Sequence, residues 1–527
     1  MRRAMVAMLW FACGCAVAEA PGGTVFEDGN ANGARDAGEP GIAGVAVSDG
    51  RRVVRTDGQG RYALPMLAGR TVFVVQPAGW TVPTGEDGLP AFWFQQPLPA
   101  ASGLRHGGLP AGPLRQRVDF PLRKAATSDS DLDVLVFADP QPKSRTDVDY
   151  YRRDIVEPLR GTNAALGLTL GDIVDDDLSL YPGIKAVTAS LGVPWLHVAG
   201  NHDMDTDAKD DADALQTFRH HFGPDTFARE EAQATFVLLD DAIHQPGKKP
   251  AYIGGFRDDQ FAFLEAYLPT VSKDRLLVLG MHIPLFEAAG RDTFRDADRE
   301  RLFALLRDFP RVLVLSAHNH TQQHWFHDES TGWHGAQALH EYNVGAACGA
   351  FWSGVKDADG IPDSTMADGT PNGHATLKVS QGGRYALAWH PARLRDDDQA
   401  FTAAMALQAP KVLRAGAYPA WGVYANVFMG RDDTRVEYRV DNGDWAPMKR
   451  VSQPDPRLLM ENMRDDLAET LRGYDRSPEA KPSPHLWRGA LPTGVGVGEH
   501  TVEVRTFDPW QGEQRATTRY RLMEATP

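Results

Sequence analysis

The chain has 527 residues, 42% hydrophobic and 24% charged, which suits a globular protein of about three domains. Its formal net charge of −15 argues against a nucleic-acid polymer as partner, because gripping a phosphate backbone takes a basic face. A small phosphorylated ligand stays open, since bound metal ions would reverse the field locally.

Residues 1–20 read as a signal peptide. Arg2 and Arg3 give a basic start, and residues 4–17 an apolar stretch too short to span a bilayer. Ala16-Val17-Ala18 offers a cleavage site before Glu19. The expected location is secreted or periplasmic, with no membrane-spanning segment after cleavage. Cys13 and Cys15 fall in this leader and Cys348 stands alone, so the cleaved chain has no intramolecular disulfide.

Residues 21–124 carry short valine-rich runs at 44–47, 53–56, 62–64 and 71–75 between Gly and Pro turns, the pattern of a β-sandwich. Inside it, Asp28, Asn30, Asn32, Asp36 and Glu39 place oxygen donors at calcium-loop spacing. Gly33 stands at the sharp turn, and Ala34 could offer its carbonyl. The flanks are strand-like, so the expected role is structural Ca²⁺; the competing reading is an Asx-rich turn without metal. Residues 98–113 read as loop and 125–131 as a polar linker.

From 127 to 340 strand and helix patterns alternate, with helices over 258–268 and 299–307, which implies βαβ units. Five apolar runs, at 132–137, 165–170, 195–199, 276–279 and 312–315, each end in ligand chemistry. They supply Asp139, Gln141, Asp172, Asn201, His282, His318 and His320, with His202 beside Asn201. Ligands at successive strand ends gather along one sheet edge. Imidazoles plus carboxylates suit Zn, Fe or Mn. Seven donors are too many for one ion and fit two; a metal pair can clamp a phosphoryl group and activate water.

Residues 341–527 read as a β-rich C-terminal domain. Strands are expected at 375–379 and 385–389. Val436, Tyr438 and Val440 alternate into the hairpin turn Asp441-Asn442-Gly443-Asp444, and Val502, Val504 and Thr506 mark a late strand. A helix is expected over 456–473, followed by an exposed Pro-rich stretch at 475–484.

The set Asp139-Pro140-Gln141, Gly171-Asp172, Gly200-Asn201-His202-Asp203, Gly280-Met281-His282 and Ala317-His318-Asn319-His320 resembles, in order, the motifs of the calcineurin-like metallophosphoesterases. The flanks, with Tyr342-Asn343-Val344-Gly345, are similar to a secreted bacterial subgroup carrying extra N- and C-terminal domains. The resemblance implies an α/β fold, a four-layer α/β/β/α sandwich flanked by an N-terminal β-sandwich and a C-terminal β-rich domain. It implies that Asp139, Gln141, Asp172 and His320 hold one metal. Asp172, Asn201, His282 and His318 would hold the second, with Asp172 bridging. His202 would contact the scissile phosphate or protonate the leaving group, and Asp203 would orient it. Residues 351–354 and 368–373 look like the subgroup's loops, making Trp352 and Asn372 candidates for a substrate pocket; simple turns are the alternative. Two positions depart from the family: Gln141 stands where His is usual, a weaker ligand, and Ser316-Ala317 replaces a usual Gly.

The expected function is a secreted or periplasmic dinuclear-metal phosphoesterase. It would hydrolyse a small phosphomonoester or phosphodiester by attack of metal-bound hydroxide. The rival is a surface binding protein with a degenerate phosphoesterase domain, for which Gln141 is the best support. The oligomeric state is not legible.

Overall fold

The structure, a computed structural model, describes residues 21–125, 130–286, 293–394, 397–418 and 420–525. The expected signal peptide, Cys13, Cys15 and most of the linker lie outside the described residues.

Two mixed sheets form the centre. In the first, Leu132–Phe137, Leu166–Leu170 and Trp195–Val198 are parallel neighbours. In the second, Ala234–Leu239, Leu276–Gly280, Val312–Ser316 and Leu339–Asn343 are parallel, with antiparallel strands at both edges. These strands are almost wholly buried, as parallel strands covered on both faces must be. The sheets pack closely. A Cβ on Gly280 would come within 3.4 Å of Leu170 and 3.9 Å of Val198 in the other sheet. Helices Tyr181–Ala189, Asp258–Tyr267 and Asp296–Leu306 bury Ile184, Leu264 and Leu302, one apolar stripe each. This is the expected α/β sandwich.

The sheets run on past residue 341. Leu339–Asn343 pairs with Val312–Ser316, and the hairpin Gly373–Ser380/Arg384–Pro391 extends the first sheet by pairing with Leu132–Phe137. The chain beyond residue 340 thus first completes the central fold. Only from Met405–Gln408 onward does it build separate sheets around a second apolar core. The hairpin turn holds, with Asp441 and Asn442 both in left-handed conformation. The helix ends early, spanning Pro456–Asp466 rather than reaching 473.

The N-terminal part is two four-stranded sheets, as expected. Its apolar residues are continuous with the central core: Phe73 meets Phe263 at 6.0 Å and Phe92 meets Phe227 at 5.1 Å between ring centroids. The 28–39 loop folds onto its own donors. Asn30 and Asn32 amides reach Asp36 at 2.7 and 2.8 Å. Glu39 takes the Gly29 and Asp36 N–H groups, Asp28 takes that of Gly33, and Ala34 N–H binds Asn32. Arg123 lies 3.4 Å from Asp28. Among the described residues no helix is long and apolar enough to cross a membrane.

Candidate metal centre

The expected ligands follow the strand ends directly. Asp139 and Gln141 follow Leu132–Phe137, Asp172 follows Leu166–Leu170, and Asn201 follows Trp195–Val198. His282 follows Leu276–Gly280, and His318 and His320 follow Val312–Ser316. Five of them leave the strand in the left-handed region: Asp139 at φ 43°, Gln141 at 40°, Asp172 at 47°, His318 at 71° and His320 at 48°. Residues with a Cβ rarely adopt that backbone, and such strain gathers at functional sites. Gly200 has no such freedom to lose, because a Cβ there would sit 2.3 Å from both the backbone N and the carboxylate of Asp172.

The side chains converge in the interior. His282 Nδ1 donates to the Leu170 carbonyl at 2.8 Å, which leaves Nε2 facing inward. Around that nitrogen lie Asn201 Oδ1 at 3.1 Å, Asp172 Oδ2 at 3.2 Å and His318 Nδ1 at 3.2 Å. His320 is fixed likewise: its Nδ1 donates to the Gly349 carbonyl at 2.6 Å, and its Nε2 faces Asp139 Oδ1 at 3.7 Å. Gln141 donates its amide to Asp175 at 3.1 Å and turns Oε1 toward the Cys348 thiol at 3.9 Å. Asp172, Asn201, His282 and His318 thus form one cluster with Asp139 and His320 beside it, while the Gln141 side chain reaches it only through Cys348.

Electrostatics suit a cation there. Burial, with the neighbouring Asp172 charge, holds Asp139 above the usual carboxylate range. Burial works the same way on Asp172, but the charge and hydrogen bond of His282 outweigh it and hold that carboxyl down. His318 and His320 are pushed down by burial to about 3 and about 4, so both are neutral imidazoles, the form that binds metal. Burial opposes charge on His282, but the carboxylates of Asp172, Asp139 and Asp241 raise it to about 10, so a metal ion bound there would take the place of its proton. Ligand atoms of Asp172, His282 and His318 lie within 4.8 Å of one another, close enough to hold one ion between them.

His202 stands at the rim. Its backbone N–H binds Asp172 at 2.9 Å, and its Nδ1 meets Asp176 at 2.8 Å and Asp175 at 3.5 Å. Burial opposes its charge, but the Asp176 hydrogen bond and the nearby carboxylates raise it to about 9. The expectation that Asp203 orients His202 is therefore corrected. Asp203 is wholly buried and braces the backbone instead, accepting from Gly200 N at 2.8 Å, Ile173 N at 3.1 Å and Tyr181 Oη at 2.9 Å.

Two further expectations change. Trp352 and Asn372 do not line a pocket; they are 1% and 0% exposed and hold the site from behind. Trp352 Nε1 donates to the Pro140 carbonyl at 2.9 Å. Asn372 bonds Asp154 at 2.8 Å and the Ala347 carbonyl at 3.1 Å. An aromatic that does flank the site is Phe351, 44% exposed and 4.6 Å from the His320 ring. The pattern of strand ends did not reveal Asp241, which takes the His282 and Ile283 N–H groups at 3.1 Å, nor Tyr252, whose hydroxyl lies 3.5 Å from His318 Nε2. Asp241 adjoins the strand Ala234–Leu239 and so was within reach of the same reading.

One substitution tests the cluster directly. Asp172 uses one oxygen on His282 and the other on the His202 backbone. Asp172→Asn is expected to lower the transition metal bound per chain after reconstitution, read by elemental analysis; unchanged content would remove that carboxylate from the coordination shell.

Family models match the chain in three consecutive pieces: the N terminal of calcineurin-like phosphoesterase over 29–102, calcineurin-like phosphoesterase over 132–341, and the C terminal of calcineurin-like phosphoesterase over 341–513. No curated protein matches it. Among solved structures, the purple acid phosphatase PPD1 from yellow lupin (Lupinus luteus) seeds is 12% identical with a TM-score of 0.35, over 66% of this chain and 67% of that one. Vps29 of Chaetomium thermophilum is 8% identical with a TM-score of 0.21, over 74% of this chain and 98% of that one. Likenesses that distant carry no argument. The three matched regions and the converging ligand set place this chain among the calcineurin-like phosphoesterases, as a metal-dependent phosphoester hydrolase.

Proposed function

We propose that the chain is an exported phosphoesterase with two transition metals, acting on a small phosphomonoester or phosphodiester. What carries this is the ring of donors within 3.2 Å of His282 Nε2, beside a second group formed by Asp139, Gln141 and His320. Asp139, Gln141, Asp172 and His320 would hold one ion, and Asp172, Asn201, His282 and His318 the other. Mn, Fe and Zn suit this mixture of nitrogen and oxygen donors. When bound, such a pair supplies charge neutralisation at the phosphate and a water acidic enough to react near neutral pH.

The chain's own residues do the remainder. His202, fixed through Nδ1 by Asp176, presents Nε2 to the leaving oxygen and donates a proton there. Export is supported by the basic then apolar start at residues 2–17. N-terminal sequencing of protein recovered outside the cytoplasm checks it, and an uncleaved Met1 would count against it. Turnover of p-nitrophenyl phosphate or bis-p-nitrophenyl phosphate with Mn²⁺, Zn²⁺ or Fe²⁺ tests the activity; the surface-binding alternative expects none.

His202→Ala is expected to lower kcat by about 10²-fold on an alkyl phosphate, whose leaving group needs a proton, with metal content unchanged. Full activity on that ester would remove His202 from the reaction.

We also propose Ca²⁺ for the 28–39 loop, where the Asn30 and Asn32 side chains meet Asp36 while Asp28 and Glu39 hold the loop's N–H groups. An ion that binds only the folded form stabilises it by about 2.7 kcal/mol at a hundred times its Kd. Adding Ca²⁺ to the chelator-treated full chain should raise the first unfolding transition, and Glu39→Ala should abolish the rise. A wild-type transition indifferent to Ca²⁺ returns the loop to a self-bonded turn.

A further inference from the structure

Beside the metal centre opens a cleft of about 1060 Å³. Tyr252, His318 and Asn319 form its inner end, and residues 450–452 and 481–484 of the C-terminal region form its far wall. Small-molecule sites commonly enclose about 300–1,000 Å³, so this one has room for far more than a phosphate group. Its lining is mixed, with Thr321, Gln323 and Ser452 set among Ile253, Val451 and Pro482, which suits an organic ligand that carries polar groups.

The charges along it are one-sided. Asp368 is 1% exposed and already engaged, with His485 at 3.2 Å and the Gln322 N–H at 3.0 Å. The exposed charges are Arg450 and Lys481, both cationic, in a chain whose formal net charge is −15. Arg450 is partly taken up by Asp432 and the Pro484 carbonyl. Lys481 is anchored through its backbone N–H to the Ala367 carbonyl at 2.8 Å, and among the described residues its ammonium has no partner. A cationic wall in a concave site concentrates anions.

The wall is also held in place. Asn426 bonds the Asp368 carbonyl at 2.9 Å and Asp455 at 2.7 Å, while His485 meets Asn426 at 2.6 Å. These buried polar contacts tie the C-terminal region to Gln322, two residues after His320. The backbone that carries Lys481 is thus held at a fixed offset from the His320 loop, which limits where its charge can reach.

We propose that Lys481, assisted by Arg450, binds a second anionic group of the substrate away from the ester that is cleaved. The substrate class is then a polar organic phosphate carrying two separated negative groups. This rests on the phosphoesterase activity proposed above.

The test uses the full metal-loaded chain and whichever nitrophenyl ester it turns over. Competitive inhibition is measured with two matched pairs: glucose 6-phosphate against glucose 1,6-bisphosphate, and thymidine 5′-phosphate against thymidine 3′,5′-bisphosphate. In the wild type at least one bisphosphate should inhibit about tenfold more tightly than its monophosphate. Lys481→Ala should cut that ratio about fivefold, Lys481→Glu should cut it further, and Lys481→Arg should keep most of it. The wild-type ratio should also shrink as salt rises, because the charges are exposed. Equal inhibition within both pairs, or a ratio that survives Lys481→Ala and Lys481→Glu, overturns this inference and leaves the phosphoesterase function standing. No turnover of either nitrophenyl ester with any of the three metals overturns both.

Discussion

The site depends on side chains held at strand ends in a backbone conformation that costs energy. Five candidate ligands sit in the left-handed region, and each such residue costs on the order of 1–3 kcal/mol. That strain persists because neighbouring chain over-determines it. Ala347 N–H binds the Ala138 carbonyl at 2.7 Å, Cys348 N–H binds that of Asp139 at 3.1 Å, and Trp352 clamps that of Pro140 at 2.9 Å. Three successive carbonyls are thus held by one segment from the far side of the sequence. Gln141 N–H closes the turn onto the Asp172 carbonyl at 3.1 Å, linking the first two motifs. Remove the clamp and the turn relaxes toward an ordinary strand exit, with Asp139 and Gln141 aimed elsewhere.

A second constraint follows from charge. Asp139, Asp172, Asp203 and Asp241 are all buried within the same strand ends. An ionised carboxylate in such a place costs several kcal/mol unless cations or hydrogen bonds offset it. The two outer ones, Asp203 and Asp241, are served by backbone N–H groups and act as braces. Asp139 and Asp172 also take backbone N–H groups, from His318 and His202, but they face imidazoles as well. The division is one of position: Asp203 and Asp241 meet the backbone of the strand ends, whereas Asp139 and Asp172 meet the other candidate ligands.

Much of this is legible in the sequence. Strand-terminal placement survives as a pattern in sequence because a parallel strand is a short apolar run and the ligand follows it immediately, so Asp139 through His320 could be read from position alone. Contacts between distant segments could not. Asp203 sits next to His202 in the chain, yet the tight turn over Asn201–Asp203 sends the two side chains opposite ways. Asp176, four residues beyond Asp172, holds the histidine instead, from a loop without periodicity. Trp352 and Phe351 are adjacent, and only packing decides that the larger ring goes inside and the smaller one stands beside His320. The sheets' continuation to Pro391 was hidden for a similar reason: the strand at 375–379 was visible, but its partner, Leu132–Phe137, lies far back in the sequence.

Both flanking regions meet the centre through apolar packing and directional bonds, and they differ in where those bonds fall. The N-terminal sandwich joins the central core through aromatic contacts, the Arg70–Asp259 pair at 2.7 Å and buried bonds from Gly108 and Leu109 to Thr217 and Gln216. The C-terminal region keeps its own apolar core, lends Ala406, Phe428 and Met429 to the central one, and docks through buried, directional bonds centred on Asp368, His485 and Asn426. Directional polar contacts fix register at the expense of some stability. They are placed immediately behind the His320 loop, where register matters most, because one wall of the cleft is in the C-terminal region and the metal ligands are in the other wall. Burial alone would hold the two parts together; only the polar network holds them at one fixed offset. One wall of the cleft beside the metal centre therefore comes from the C-terminal region, at an offset set by that network.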